Sequence, residues 1–143
     1  MQDIITDLGE EQLIKRGYDA ITVTVGVYLD STDTITESDD LGAITTEPTN
    51  TNYATASVTF SAADLSGDWG VDNDASFSFD FSDQTSSQDV DTFYVEYSFT
   101  AADTGDGSAT AHLIATVGMT QARDIGSIDT LDVAAGDLSI TVS

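Results

Sequence analysis

The sequence predicts an all-β fold, an antiparallel β-sandwich or jelly-roll-like barrel with one short N-terminal helix. Three features carry that expectation: runs in which every second side chain is apolar, polar turns between the runs, and one opening stretch with helix signals. At 143 residues the chain has room for one domain of ordinary size. It divides into an N-terminal helical segment, residues 1–17, which packs or anchors, and a β-sandwich domain, residues 18–143.

The opening helix rests on its end signals. Asp7 and Glu10 have the spacing of a capping box. Glu10 and Glu11 stand in the first turn and Lys15 and Arg16 in the last, each matched to the helix dipole, and Gly17 supplies a left-handed stop. Ile4, Ile5, Leu8, Leu13 and Ile14 form no single clean stripe and would be partly exposed on an isolated domain. They are the candidate interface, packing either on the domain's own sheet or on a neighbouring subunit. In the second case, replacing Leu13 and Ile14 with Asp abolishes assembly and spares the β-fold.

From residue 20 the period changes to two. Ile21, Val23, Val25, Val27 and Leu29 share one face, with Thr22, Thr24 and Tyr28 on the other. Ala54, Ala56, Val58 and Phe60 repeat the pattern, as do Phe77, Phe79 and Phe81, then Phe93, Val95, Tyr97 and Phe99. Leu113, Ala115, Val117 and Met119 form the next core-facing set. Leu131 with Val133, and Leu138 with Ile140 and Val142, indicate two short strands around the turn Ala135-Gly136-Asp137. Two stretches are expected as long connections: residues 30–52, which hold the only proline, Pro48, and residues 61–74, which hold Asp64, Asp68, Asp72, Asp74 and the sole Trp69. Loops of that length in a compact domain are functional or disordered.

Charge narrows the function. Twenty-six Asp and Glu stand against Lys15, Arg16 and Arg123, a formal net charge of −23. Phosphate contacts require Lys and Arg, so no nucleic-acid partner is expected, and an anionic membrane face would repel such a surface. Dilute buffer would leave this self-repulsion unscreened, whereas at roughly molar salt the Debye length falls to about 3 Å. The composition is that of a halophilic protein. There are no cysteines, hence no disulfide framework and no thiolate nucleophile or ligand. No stretch approaches the roughly 20 apolar residues that span a bilayer, and the opening residues lack the basic-then-apolar pattern of a signal peptide. A protein made and assembled inside a cell is the expectation.

Candidate sites are few. His112 is the sole histidine, on a strand face with Ile114 and Thr116, and no nucleophile-elbow pattern accompanies it. No enzyme is expected. Oxygen-rich turns at Asp72 and Asp74 and at Asp103 and Asp106 could hold a structural Ca²⁺, Mg²⁺ or Na⁺, although neither has the full EF-hand spacing. No other cofactor is expected. Tyr28 and Tyr94 point away from the expected core and Trp69 lies in a polar stretch, so the three are candidates for stacking on a glycan or for lining a subunit interface.

The opening LGEEQLIKRGY, the stretch VTVGVYLDSTDTITESDDLGAITTEP, the run YATASVTFS and the ending LDVAAGDLSITVS together resemble small virion structural proteins of tailed viruses, particularly those of haloarchaea and related bacteriophages. The resemblance implies a place in the virion, as a head decoration or turret subunit or as a tail component, with the capsid shell or tail as partners. It transfers no catalytic residue. The reading that follows is a capsid decoration or turret subunit of a halophilic tailed virus forming a symmetric homo-oligomer. The alternative is a tail or tail-fibre component with a carbohydrate-binding, host-attachment role.

Overall fold

The computed structural model describes residues 4–5, 21–65, 68–100 and 110–141. Among them are nine strands: β1 (Ile4–Ile5), β2 (Ile21–Tyr28), β3 (Ala56–Leu65), β4 (Asp68–Asn73), β5 (Phe77–Asp80), β6 (Asp89–Phe99), β7 (Thr110–Asp124), β8 (Thr130–Val133) and β9 (Ser139–Thr141). Seven form one sheet in the order β1-β7-β6-β2-β3-β4-β9, and β5 pairs with β8 in a second. Every pairing is antiparallel. The larger sheet curls until β7 approaches β9, which makes it barrel-like. The all-β expectation holds. The expected helix lies outside the described residues, and ahead of it Ile4 and Ile5 join the sheet as a strand, so the sheet reaches into the segment 1–17.

The main core follows the predicted alternation. Val23, Val25 and Val27 of β2 are buried with Val58 and Phe60 of β3 and with Val95 and Phe99 of β6. The small sheet closes this core through aromatic packing: Phe79 stacks on Phe93 with ring centroids 6.4 Å apart, and Tyr53 stacks on Phe79 at 5.8 Å and on Phe81 at 5.7 Å. Buried aromatic pairs of this kind add roughly 0.5–1.5 kcal/mol beyond their area.

Three expectations are corrected. Residues 61–74 are not a long connection: Leu65 pairs with Asp68 and Phe60 with Asn73, so the stretch is the tight β3–β4 hairpin. Ala54 is exposed and precedes β3, so it is not a core residue. Leu113 does not share the core face with Ala115. A register break on β6 between Val95 and Glu96 leaves Ile114 as an extra residue, and across it the faces exchange. Ile114 and Ala115 enter the main core, while Leu113 joins a second buried cluster on the opposite face.

Candidate interaction surface

The second cluster explains the acidic stretch after β2. Residues 30–47 fold back over the outer face of the large sheet as a flap, containing one helical turn, α1 (Asp30–Asp33), and a 3₁₀ turn (Leu41–Ala43). Ile35 of the flap is buried with Tyr28, Tyr94 and Leu113 of the sheet, and Leu41, Ala43 and Ile44 pack at the margin. A short stretch rich in Asp and Thr thereby covers a sheet face that alternation alone assigns to solvent.

The carboxylates fasten the flap. Glu47 Oε1 accepts the hydroxyls of Tyr94 at 2.5 Å and Tyr53 at 2.9 Å. Burial first, and then that carboxylate, pushes both tyrosines far above their ordinary pKa. Val27 N donates to Tyr53 Oη at 3.1 Å, and Leu29 N donates to Thr46 Oγ1 at 2.8 Å. The β2–β3 ladder ends at Val25 and Ala56, so these two side chains take the place of a missing strand. Asp33 accepts from the backbone N–H of Thr45 and Thr46, both at 3.0 Å, and from their hydroxyls at 2.6 and 2.7 Å. Burial would raise its carboxyl, but these four donors prevail and hold it below the usual range. Tyr28 donates to the buried Asp30 at 2.9 Å.

Asp40 ties the flap to β7. Its Oδ1 accepts from Leu113 N at 2.7 Å and Leu41 N at 2.8 Å, and its Oδ2 lies 2.7 Å from His112 Nδ1. Burial again works against ionisation, and the Leu113 and Leu41 amides with His112 overcome it. His112 Nε2 lies 2.8 Å from the Thr110 hydroxyl, an arrangement that suits a proton on Nδ1. Histidine here is a clasp between two elements, opposite Tyr97 in the ladder and half-buried.

The flap corrects the aromatic expectation. Tyr28 is 0% exposed and Tyr94 4%, so neither ring offers a face to a sugar. Trp69 has its backbone paired with Asp64, and its side chain lies outside the described residues. Asp72 and Asp74 do not flank an open turn. Between them the buried Asn73 donates through Nδ2 to Ala75 O and Ala134 O, each at 2.8 Å, and accepts Leu138 N at 2.9 Å. Asp74 accepts from Ser61 Oγ at 3.0 Å. Among the described residues no three His, Cys, Asp or Glu are grouped to hold a metal. Asp103, Asp106, Leu8, Leu13 and Ile14 lie outside the described residues.

The surface that sequence reasoning missed runs along β7. Gly118 pairs with Thr92 and Arg123 with Val90, so residues 119–122 leave the β6 ladder between them. Among the described residues, the other side of β7 carries β1, at Thr116 and Ala115. Beside the departing stretch a cavity of about 380 Å³ opens between the two sheets, lined by the apolar Phe93, Val117, Met119 and Leu131 and by the polar Thr120, Gln121, Asp132 and Asp137. Arg123 also lines it, is exposed, and makes no ion pair with a described residue. In a chain of net charge −23 that is the one described cation. Alternation could not reveal this seam, because it depends on where a strand stops pairing. Compared with family models, curated proteins and solved structures, the chain matches none of them.

Proposed function

We propose that this chain is a structural subunit of a virion, a capsid decoration or turret protein of a halophilic tailed virus that assembles as a symmetric homo-oligomer. The observation that carries the reading is the stretch of β7 that leaves the β6 ladder. Residues 119–122 pair with no strand among the described residues, and they border a cavity whose lining mixes apolar side chains with Thr120, Gln121, Arg123, Asp132 and Asp137. Unladdered strand margins invite pairing with another chain, and the apolar side chains of the opening beside them, Met119 and Leu131 among them, give such a contact buried area. The acidic coat supports the salt-dependent part of the reading. Near the flap and turns its carboxylates use Thr and Ser hydroxyls and backbone N–H groups as partners, which keeps the domain folded without Lys or Arg.

The tail-component reading, with a glycan site, is weakened because two of its three aromatic rings lie under the flap. Negative-stain microscopy of the purified chain in about 2–3 M NaCl, where screening acts over a few Å, tests the proposal. Closed rings are expected, and Thr120→Pro or Arg123→Glu should disperse them with the β-fold intact by circular dichroism. Particles that stay single in the unaltered chain would reject the reading.

A further inference from the structure

We propose that the flap, residues 30–47, is a salt-gated cover: as ionic strength falls it lifts from the sheet as one unit, ahead of the barrel beneath, and bares the Tyr28, Tyr94 and Leu113 face. The motion belongs to a single chain and does not depend on assembly.

Charge across the flap contact is one-sided. The flap carries Asp30, Asp33, Glu37, Asp39, Asp40 and Glu47 and neither Lys nor Arg. The sheet beneath adds Asp91 and Glu96 from β6, and among the described residues only His112 of β7 answers them. Glu96 is the least compensated of these groups. It is half-buried, directly opposite Leu113 in the β6–β7 ladder, and takes no hydrogen bond from a described residue. Leu113 N anchors Asp40, and the Tyr94 hydroxyl, two residues before Glu96 on the same strand face, anchors Glu47. Docking the flap therefore sets Asp40 and Glu47 beside a third carboxylate. The crowding shows in the Glu96 carboxyl, which burial first, and then Glu47 and Asp40, hold above its ordinary range. Salt relieves such repulsion: the Debye length is about 3 Å at roughly molar salt and about 10 Å at 0.1 M, so dilution restores it.

The forces that oppose this repulsion are few. Ile35 is the one fully buried apolar side chain of the flap, with Leu41, Ala43 and Ile44 partly buried. The backbone bonds within the flap are local, as from Thr34 N to Asp30 O at 2.8 Å and from Ile44 N to Leu41 O at 3.1 Å. Its ties to the sheet run through the side chains of Asp40, Thr46 and Glu47. Segments with few buried apolar contacts open as separate units, more readily than the core. Thr34 adds strain. Its φ of 51° and ψ of 59° are left-handed, a conformation that β-branched residues rarely adopt, and it immediately precedes Ile35. Lifting the flap frees Thr34 to leave that conformation.

Native-state hydrogen exchange from about 3 to 0.1 M NaCl, at neutral pH and at two protein concentrations, tests the gate. The amides of Leu29, Thr45, Thr46 and Leu113 report the flap, since flap side chains accept from them. Val25 and Phe93, laddered on both sides, report the barrel. Lowering the salt should cut protection of the flap amides about tenfold more than that of the barrel amides, equally at both concentrations. Glu96→Gln should remove most of that extra loss. Thr34→Asn, which tolerates the left-handed conformation, should slow exchange of the flap amides at every salt level. Flap amides that stay protected throughout, or that open only together with Val25 and Phe93, would overturn the gate. A response that varies with protein concentration would overturn it in favour of an interface at the flap, and a Glu96→Gln chain with the parent's salt dependence would overturn its electrostatic origin.

Discussion

Gly26 lies directly opposite Tyr94 in the β2–β6 ladder, and the tyrosine ring occupies the space that a side chain at position 26 would fill. Glycine is required here by close approach. Tyr94 lies flat across β2 on its way to Glu47, and the flap closes over it. Gly26→Ala should therefore destabilise the fold by roughly 1–3 kcal/mol, the usual range for forced overpacking. A double-mutant cycle with Tyr94→Ala should show strong coupling, because removing the ring relieves the clash. Additive losses in chemical denaturation would contradict this packing.

Tyr53 serves two partners, donating to Glu47 and accepting from Val27 N. Tyr53→Phe leaves both without this bond, a loss of about 1–3 kcal/mol for a buried group left unsatisfied. Hydrogen exchange should quicken at Val27 and Leu29 before it does at Val23 or Val25, since only the former pair rely on side chains of the connection. Uniform acceleration along β2 would argue against the stand-in role.

Acid should loosen the flap through Asp33. Its folded pKa lies below that of the unfolded chain, so its contribution is complete above the unfolded value of about 4 and disappears as pH falls through the folded value. Asp33→Asn is expected to lower Tm near neutral pH, with the difference from the parent chain closing as pH falls below the unfolded value and through the folded one. Melts in high salt keep the change in net charge from obscuring the comparison. A difference that persists unchanged at low pH would be inconsistent with this sign.

Glu96 has the opposite sign. Burial first, then Glu47 and Asp40, raise its pKa. Its ionised form opposes folding, so stability attributable to protonation is lost as pH rises through the folded value. Glu96→Gln should raise Tm near pH 7, with the gain shrinking toward pH 4. A variant less stable at pH 7 would show instead that the charge is compensated.

Much of this body could be read from the chain, and the reasons for the remainder are local. Val23, Val25 and Val27 lie where alternation puts them, as do Phe79 and the run from Phe93 to Phe99. Alternation fails at Leu113 because the extra residue Ile114 reverses the faces between it and Ala115, while Val117 and Met119 keep the expected side. It fails at β3–β4 because that hairpin carries Asp, Gly and Ala where greasy residues would have marked it. The flap was hidden because Ile35, Leu41, Ala43 and Ile44 follow neither period. One clue was present: Gly26 interrupts a run of β-branched residues, and an interior strand glycine signals that something lies across it. For the candidate surface the outcome is more divided. Ile4 and Ile5 were singled out on hydrophobicity, and they stand in the sheet as a strand. Arg123 and the seam depend on the point where β7 leaves its neighbour, which no local pattern encodes.

Sedimentation velocity combined with circular dichroism, from about 0.1 to 3 M NaCl, tests the salt-dependent assembly of this acidic body most directly. The account predicts a folded, multi-copy species at the high end that dissociates and loses structure as the Debye length grows. A well-folded single chain at every ionic strength would contradict it.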